Sequence, residues 1–288
     1  MAELKTYTLA TPGAEIAYDV RQAEQAGDEP ILMMIGSPMD ASGFVSLAAR
    51  FPDRTVVTYD PRGTARSEKT DPTSESNPDL HAEDLHRVID ALGGGPIDLF
   101  ASSGGAVNAL ALVAKHPEQV RTLVAHEPPA VRYLPDSEQA MAATAHIHQT
   151  YRSDGFGLAM AKFLTLLQLK GEIPADFPTH PVDPAMFGLP TEDDGSRNDP
   201  LVGQNILPTT HYDHDFETLR AVSTRIVVAI GVESEGELAY RTGVAVAEQL
   251  GSTPVDFPSH HGGFLGGEFG QQGDPDGFAT TLREVLAG

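Results

Sequence analysis

PIDLFASSGGAVNALALVAKHPEQVRTLVAHEPP, residues 96–129, reads as an apolar strand, a tight turn, a helix of small apolar residues and a second apolar strand. The turn is Ala101-Ser102-Ser103-Gly104-Gly105, which fits the G-x-S-x-G nucleophile elbow with Ala in place of the first Gly. A nucleophile on a sharp strand-to-helix turn tolerates only small neighbours. The turn lifts its hydroxyl to the top of a sheet and aims the next backbone N–H at a developing oxyanion. Ser103 is therefore the candidate nucleophile, and Ser102, at the x position, is expected to point away from the site.

Outward from this stretch the rhythm continues. Apolar runs recur at Pro30–Gly36, Thr55–Asp60 and Arg225–Gly231, besides Pro96–Ala101 and Arg121–Glu127. Most are nearly continuous, as strands covered on both faces of a parallel sheet should be. Helical patterns over Ser42–Arg50, Asn77–Leu92 and Gly104–His116 separate them, the last stopped by Pro117. This alternation predicts an α/β fold with right-handed crossovers. Thr6–Leu9 and Glu15–Val20 alternate around Pro12-Gly13 and predict an antiparallel edge hairpin. After Pro129 the rhythm breaks. Ser137–Arg152, with Asp136 placed to N-cap it and Gln139 three residues on, and Gly157–Lys170 read as helices. The Pro-, Gly- and Asp-rich stretch Ile173–Pro200 reads as an irregular loop. Residues 130–215 are thus expected to form a helical cap inserted into a core of 1–129 and 216–288, over the carboxyl ends of the strands, where open α/β sheets bind ligands.

Composition narrows the function classes. The 288 residues hold 19 Lys and Arg against 41 Asp and Glu, a net charge of −22. Such a chain repels phosphate backbones and anionic lipid, so neither nucleic acid nor membrane is an expected partner; a small molecule is. With no Cys, disulfides, thiolate metal sites and a Cys nucleophile are excluded. No apolar h-region opens the chain, and no run approaches the roughly 20 apolar residues of a spanning helix, so the expected location is cytoplasmic. His211 and His214, in HYDHD, have the spacing of a solvated helix start and lack an H-E-x-x-H partner, so no metal is expected. His146 and His148, two apart on a helix, face different ways.

Several motifs in order resemble the α/β-hydrolase superfamily over essentially the whole chain. VVTYDPRGTARSE (56–68) is similar to its D-x-R-G-x-G-x-S loop, with Ala65 for the second Gly; Arg62 there is expected to brace loops. IGSP (35–38) stands where the superfamily has its H-G-x-P oxyanion strand end, with Ile35 for the His. SHHGGF (259–264) is similar to the late His motif before the final helix. The resemblance implies an α/β-hydrolase fold: a mostly parallel central sheet, helices on both faces and an inserted helical cap. It implies oxyanion donors on the backbone N–H groups of Gly104 and of Ser37, which follows Gly36. It favours His261 over His260 as base, because His261 directly precedes Gly262-Gly263-Phe264. The acid is open. The superfamily usually carries Asp shortly after the strand that here reads RIVVAIG, but this chain continues Val232-Glu233-Ser234-Glu235, with Ser234 at the expected place. Glu127, ending RTLVAHE, is the alternative. HEPP resembles the HELP segment of the zearalenone-lactonase-like hydrolases, whose triad acid is that Glu and whose C-S-S-G-A elbow is close to ASSGG. That resemblance transfers the acid role to Glu127, with Glu233 and Glu235 as competitors.

The implied reaction is acyl transfer to water on an uncharged, largely apolar ester or lactone, with no organic cofactor or metal. Met39, Met141, Met160, Phe163, Leu167 and Phe187 are candidates for lining the pocket. Thioesterase, amidase or cofactor-free perhydrolase chemistry would use the same triad, and a non-catalytic small-molecule binder would keep the fold.

Overall fold

Strand residues that are apolar on both sides need cover on both sides, and the chain supplies it with helices drawn alternately to the two faces of one sheet. The computed structural model describes residues 4–24, 27–72 and 74–288. The chain opens with the hairpin β1 (Leu4–Thr11) and β2 (Ala14–Arg21), turning at Gly13 with φ +82°. There follow β3 (Leu32–Ile35), a 3₁₀ turn over Ala41–Phe44 running into the short α1 (Val45–Ala48), β4 (Val56–Tyr59) and the two-residue β5 (Glu68–Lys69). Next come α2 (Pro78–Ala91), β6 (Ile97–Ser102), α3 (Gly104–Lys115) and β7 (Val120–His126). Between β7 and β8 lie α4 (Ser137–Asp154), α5 (Phe156–Gln168), a π-helical turn over Pro200–Asn205 and α6 (Ile206–Thr210), with α7 (Phe216–Ala221) leading into β8 (Arg225–Gly231). The chain closes with α8 (Leu238–Leu250), β9 (Val255–Phe257) and α9 (Pro275–Ala287).

The strands form one mixed, mostly parallel sheet in the order β1-β2-β4-β3-β6-β7-β8-β9, with β5 beside β2. Pairings from β4 through β9 are parallel; those of β2 with β1, β4 and β5 are antiparallel. Alternate residues serve opposite faces. Met33, Ile35, Leu99 and Ala101 pack with α2 and α3, whereas Leu32, Met34, Phe100 and Val124 pack with α1 and α9. The segment between β7 and α7 has an apolar cluster of its own, including Ile147, Tyr151, Leu166 and Val202, which also takes in Leu238 of α8.

Two local expectations fail, the second for a tertiary reason. The helix read over Ser42–Arg50 is split. Asp40 caps the 3₁₀ turn by accepting Ser42 N–H at 2.8 Å, and Gly43 is pressed so close to Met39 that an added Cβ would lie 2.4 Å from its sulfur. Asp136 precedes α4 but does not cap it with its side chain. Its carboxylate instead accepts the Ile173 N–H at 2.7 Å and pairs with Arg241 of α8, tying the insertion to the core.

Arg62 braces the loop after β4 from within. Its guanidinium makes a bidentate pair with Asp84 of α2 at 2.6 and 2.7 Å, and the two side chains are 3% and 0% exposed. Removing one partner of such a pair leaves a buried charge uncompensated, at about 3–5 kcal/mol. Asp84→Asn should therefore lower the thermal midpoint by many degrees, while replacing both residues with apolar ones of similar volume should cost much less. Calorimetry of the single and double variants checks this; equal losses would show that the pair, rather than the stranded charge, is what matters.

Candidate active site

Ser103 sits between β6 and α3 at φ 57°, ψ −129°, a conformation an L residue holds only when its surroundings fix it. Its N–H is held by the His126 carbonyl at 2.9 Å, and its carbonyl accepts the Ala106 N–H at 2.9 Å. The glycines that follow are needed for a close approach as much as for the turn. A Cβ on Gly104 would lie 2.4 Å from the Ser37 carbonyl oxygen, and one on Gly105 would lie 2.9 Å from the Gly36 backbone. The elbow is thus pressed against the end of β3, bringing Gly36-Ser37 beside the first turn of α3. Gly104, as the first residue of that helix, has an N–H with no intrahelical acceptor. Ile35, where the superfamily has His, is fully buried core.

Glu127 follows β7 directly and is also strained, with φ 45°. Its N–H goes to the Ala229 carbonyl at 2.9 Å; one carboxylate oxygen accepts the Gly231 N–H at 2.9 Å, and the other meets His261 Nδ1 at 2.6 Å. The carboxylate is fully buried. Burial pushes its pKa up, but the His261 hydrogen bond and charge, His126 and the Gly231 N–H outweigh that and hold it down at about 2. An ionised carboxylate can only accept, so His261 Nδ1 carries the proton that meets it, and Nε2 is the ring nitrogen not engaged by Glu127.

The competitors are engaged elsewhere. His260 Nδ1 accepts the Gly262 N–H at 3.0 Å, so its Nε2 donates to the Gln272 carbonyl at 3.1 Å. Glu233 is exposed and brackets the loop before His261, donating its N–H to the Ser259 carbonyl at 3.0 Å and receiving the Ser259 hydroxyl at 3.3 Å. Glu235 is exposed, and Ser234 is buried.

Ser103 and His261 both line two neighbouring spaces, one more enclosed than the other. The outer, about 550 Å³, is walled by Met39, Met160, Phe264, Leu265 and Phe269 among others; the inner, about 80 Å³, by Gly104, Pro129, Thr144, Leu166, Ile206 and Leu238 among others. Phe163, Leu167 and Leu201 border both. Of the apolar candidates, Met39, Met160, Phe163 and Leu167 line this cavity, but Met141 and Phe187 do not. Met141 turns into the insertion's own cluster, and Phe187 sits on the 3₁₀ turn Pro184–Phe187. Apolar composition marks such residues for burial without saying on which side. Leu201, at the end of the irregular stretch, carries no periodic signal at all.

His126 is the main residue the sequence did not single out. It is fully buried on the floor of the site, with Nδ1 3.1 Å from the Ser102 hydroxyl and its ring stacked 5.7 Å from that of His261 at 18°. Burial pushes its pKa down to about 4. His211 and His214 are not at a solvated helix start: His214 is buried, its pKa pushed down to about 4 by burial, and His211 bonds Thr144 at 2.8 Å. Among the described residues no group of three or more His, Asp and Glu is arranged to hold a metal, and no helix is long and apolar enough to cross a membrane.

A family model described as alpha/beta hydrolase fold matches residues 29–200. The chain belongs to the α/β-hydrolase family. An uncharacterized hydrolase of Bacillus subtilis, YraK, is 32% identical to this α/β-hydrolase over 265 residues, 89% of either chain. In structure it is similar to a thermophilic esterase from Thermogutta terrifontis (TM-score 0.65, 20% identity, covering 99% of this chain and 98% of that one). It is likewise similar to the enol-lactonase of Burkholderia xenovorans LB400 (TM-score 0.64, 18% identity, 98% and 100%). At these identities the two structures speak for the fold alone.

The depressed Glu127 has a consequence for stability. A carboxylate with a lowered folded pKa stabilises the fold above its unfolded value of 4.5 and loses that contribution as pH falls toward about 2. Glu127→Gln should therefore be less stable than wild type at neutral pH, by at most about 3 kcal/mol, and the gap should narrow as pH drops below about 5. Thermal melts of both proteins from neutral to acid pH check this. A gap of constant size would mean that the carboxylate's charge contributes nothing to the fold.

Proposed function

We propose that this chain is a serine hydrolase that cleaves uncharged, largely apolar esters through an acyl-enzyme. What carries the reading is the 2.6 Å contact between His261 Nδ1 and a buried, ionised Glu127, on a cavity that Ser103 shares. On this reading Glu127 takes the acid role of the zearalenone-lactonase-like hydrolases, on the strand next to the nucleophile's.

The chemistry follows from the groups in place. His261 Nε2 takes the Ser103 hydroxyl proton as Oγ attacks the ester carbonyl carbon. The carbonyl oxygen becomes an oxyanion facing the N–H groups of Gly104 and Ser37, donors fixed before the reaction and costing little reorganisation. His261 gives its proton to the alcohol oxygen as the carbon–oxygen bond breaks, and the alcohol leaves. Water then attacks the acyl-enzyme, its proton passing through His261 back to Ser103, and the carboxylic acid departs. Glu127 holds the imidazole in one tautomer and stabilises the imidazolium formed in each half. Apolar walls from Met39, Met160 and Phe163 favour neutral substrates. The names of the similar proteins, an esterase, an enol-lactonase and an uncharacterized hydrolase, agree with ester chemistry.

Ser103→Ala should abolish nearly all hydrolysis of an activated aryl ester without unfolding the protein, and intact-mass measurement of the wild type should trap an acyl adduct on Ser103. Retention of a tenth of the wild-type turnover would remove Ser103 from the mechanism.

The acid assignment has its own test. Glu127→Gln keeps the shape and removes the charge, and should lower turnover by at least about 10²-fold. Glu233→Gln and Glu235→Gln should each change it by less than about tenfold, since both residues are exposed and Glu233 holds only Ser259. The opposite ranking in steady-state kinetics would restore the acid to the loop after β8.

A further inference from the structure

The two spaces at Ser103 differ in size and in what borders them, and a serine hydrolase must place the two halves of its ester differently. This inference rests on the serine-hydrolase reading. The acyl carbon stays with the oxyanion donors through both steps, whereas the alcohol oxygen must lie where the base can protonate it. Gly104 borders only the inner space. The loop that continues from His261, through Gly262, Phe264 and Leu265, borders only the outer one. We propose that the acyl group enters the inner space and the alcohol occupies the outer, so that the preferred substrates are acyclic esters of a short acyl group with a bulky, apolar alcohol.

Volume sets the limit. The inner space, about 80 Å³, is closed by Thr144, Leu166, Ile206 and Leu238, which are 1%, 0%, 2% and 5% exposed. Such walls are packed from behind and do not yield to an extra methylene without strain. The inner space is several-fold smaller than the outer one, so it suits the shorter half of an ester, acetyl to butanoyl. Three of its polar side chains are committed, the Thr144 hydroxyl to His211 and the Ala140 carbonyl, the Thr210 hydroxyl to the Ile206 carbonyl, and the Asn205 amide to the Pro200 carbonyl, whereas the buried Ser37 Oγ, which borders both spaces, has no partner among the described residues. The lining is otherwise mostly apolar, which suits a neutral, unsubstituted acyl group. The outer space, about 550 Å³, is of a size that encloses a drug-sized apolar group. A macrocyclic lactone, whose acyl side is as long as its alcohol side, does not fit this division.

The test is a pair of ester series. With a 4-nitrophenyl leaving group, kcat/KM should be highest from acetate to butanoate and fall at least about tenfold by hexanoate and about a hundredfold by octanoate. With acetate fixed, lengthening a primary alcohol from ethyl to dodecyl should raise kcat/KM or leave it unchanged. Leu238→Ala opens the chamber wall and should raise the hexanoate-to-acetate ratio at least about tenfold. Ile206→Val, a gentler change, should move the ratio the same way by a smaller factor. Ratios within one protein are insensitive to how much of a variant folds. An active enzyme with a flat acyl profile, a preference for long acyl chains, or variants that lower every ester equally would overturn the inference and leave the serine-hydrolase reading standing. Absence of Ser103-dependent hydrolysis across both series would overturn both.

Discussion

The carboxylate of Glu127 joins three parts of the chain that are distant in sequence. It lies at the end of β7, accepts a backbone N–H from the end of β8, and meets the imidazole of the loop after β9. A fully buried anion is tolerated only when its oxygens are satisfied, and here the partners are the two segments whose mutual position defines the site. Were the carboxylate missing, Gly231 N–H would lose its acceptor and His261 its orientation together. Gly231 itself must be Gly, since a Cβ there would lie 2.8 Å from the Ser259 carbonyl. The approach that seats His261 therefore depends on a residue with no side chain as much as on the charged pair.

Strain is concentrated in the same place. Ser103 and Glu127 end adjacent parallel strands and both have positive φ, and Ser259, two residues before His261, does too. Each such residue costs on the order of 1–3 kcal/mol and persists only where the surroundings overdetermine it. The surroundings here are the interlocked backbones of Gly36-Ser37 and Gly104-Gly105, the ladder between β6 and β7, and an aromatic floor of Phe100, Phe264, Phe278 and His126. The site is stiff because its backbone has few alternatives, and the fold's large two-sided core offsets the cost.

Much of this was legible in the chain, for a physical reason. A strand buried on both faces has no polar alternation to blur its ends, so the runs at 30–36, 55–60, 96–101, 121–127 and 225–231 lie within a residue or two of the observed strands. The elbow was visible because close backbone approach leaves only Gly or Ala possible. Features decided by distant partners were not visible. Nothing around Asp136 says that Arg241 will outbid the helix N-terminus for its carboxylate. Nothing in Met141 or Phe187 says which side of a helix or turn will meet the cavity rather than the insertion's own core. His126 looked like one more strand residue, because only the pleat and the return of the chain at His261 bring the two rings together.

The segment after β8 is tied to the chain between β7 and α7. Glu237 bridges to Lys170, the Gly236 carbonyl accepts the Gly171 N–H at 2.8 Å, and Arg241 reaches both the Gly171 carbonyl and Asp136. This segment is the seat on which the inserted helices rest. The same segment holds the loop before His261 through Glu233 and Ser259, so the position of the candidate base and the seating of the segment above the sheet are set by one short stretch of chain.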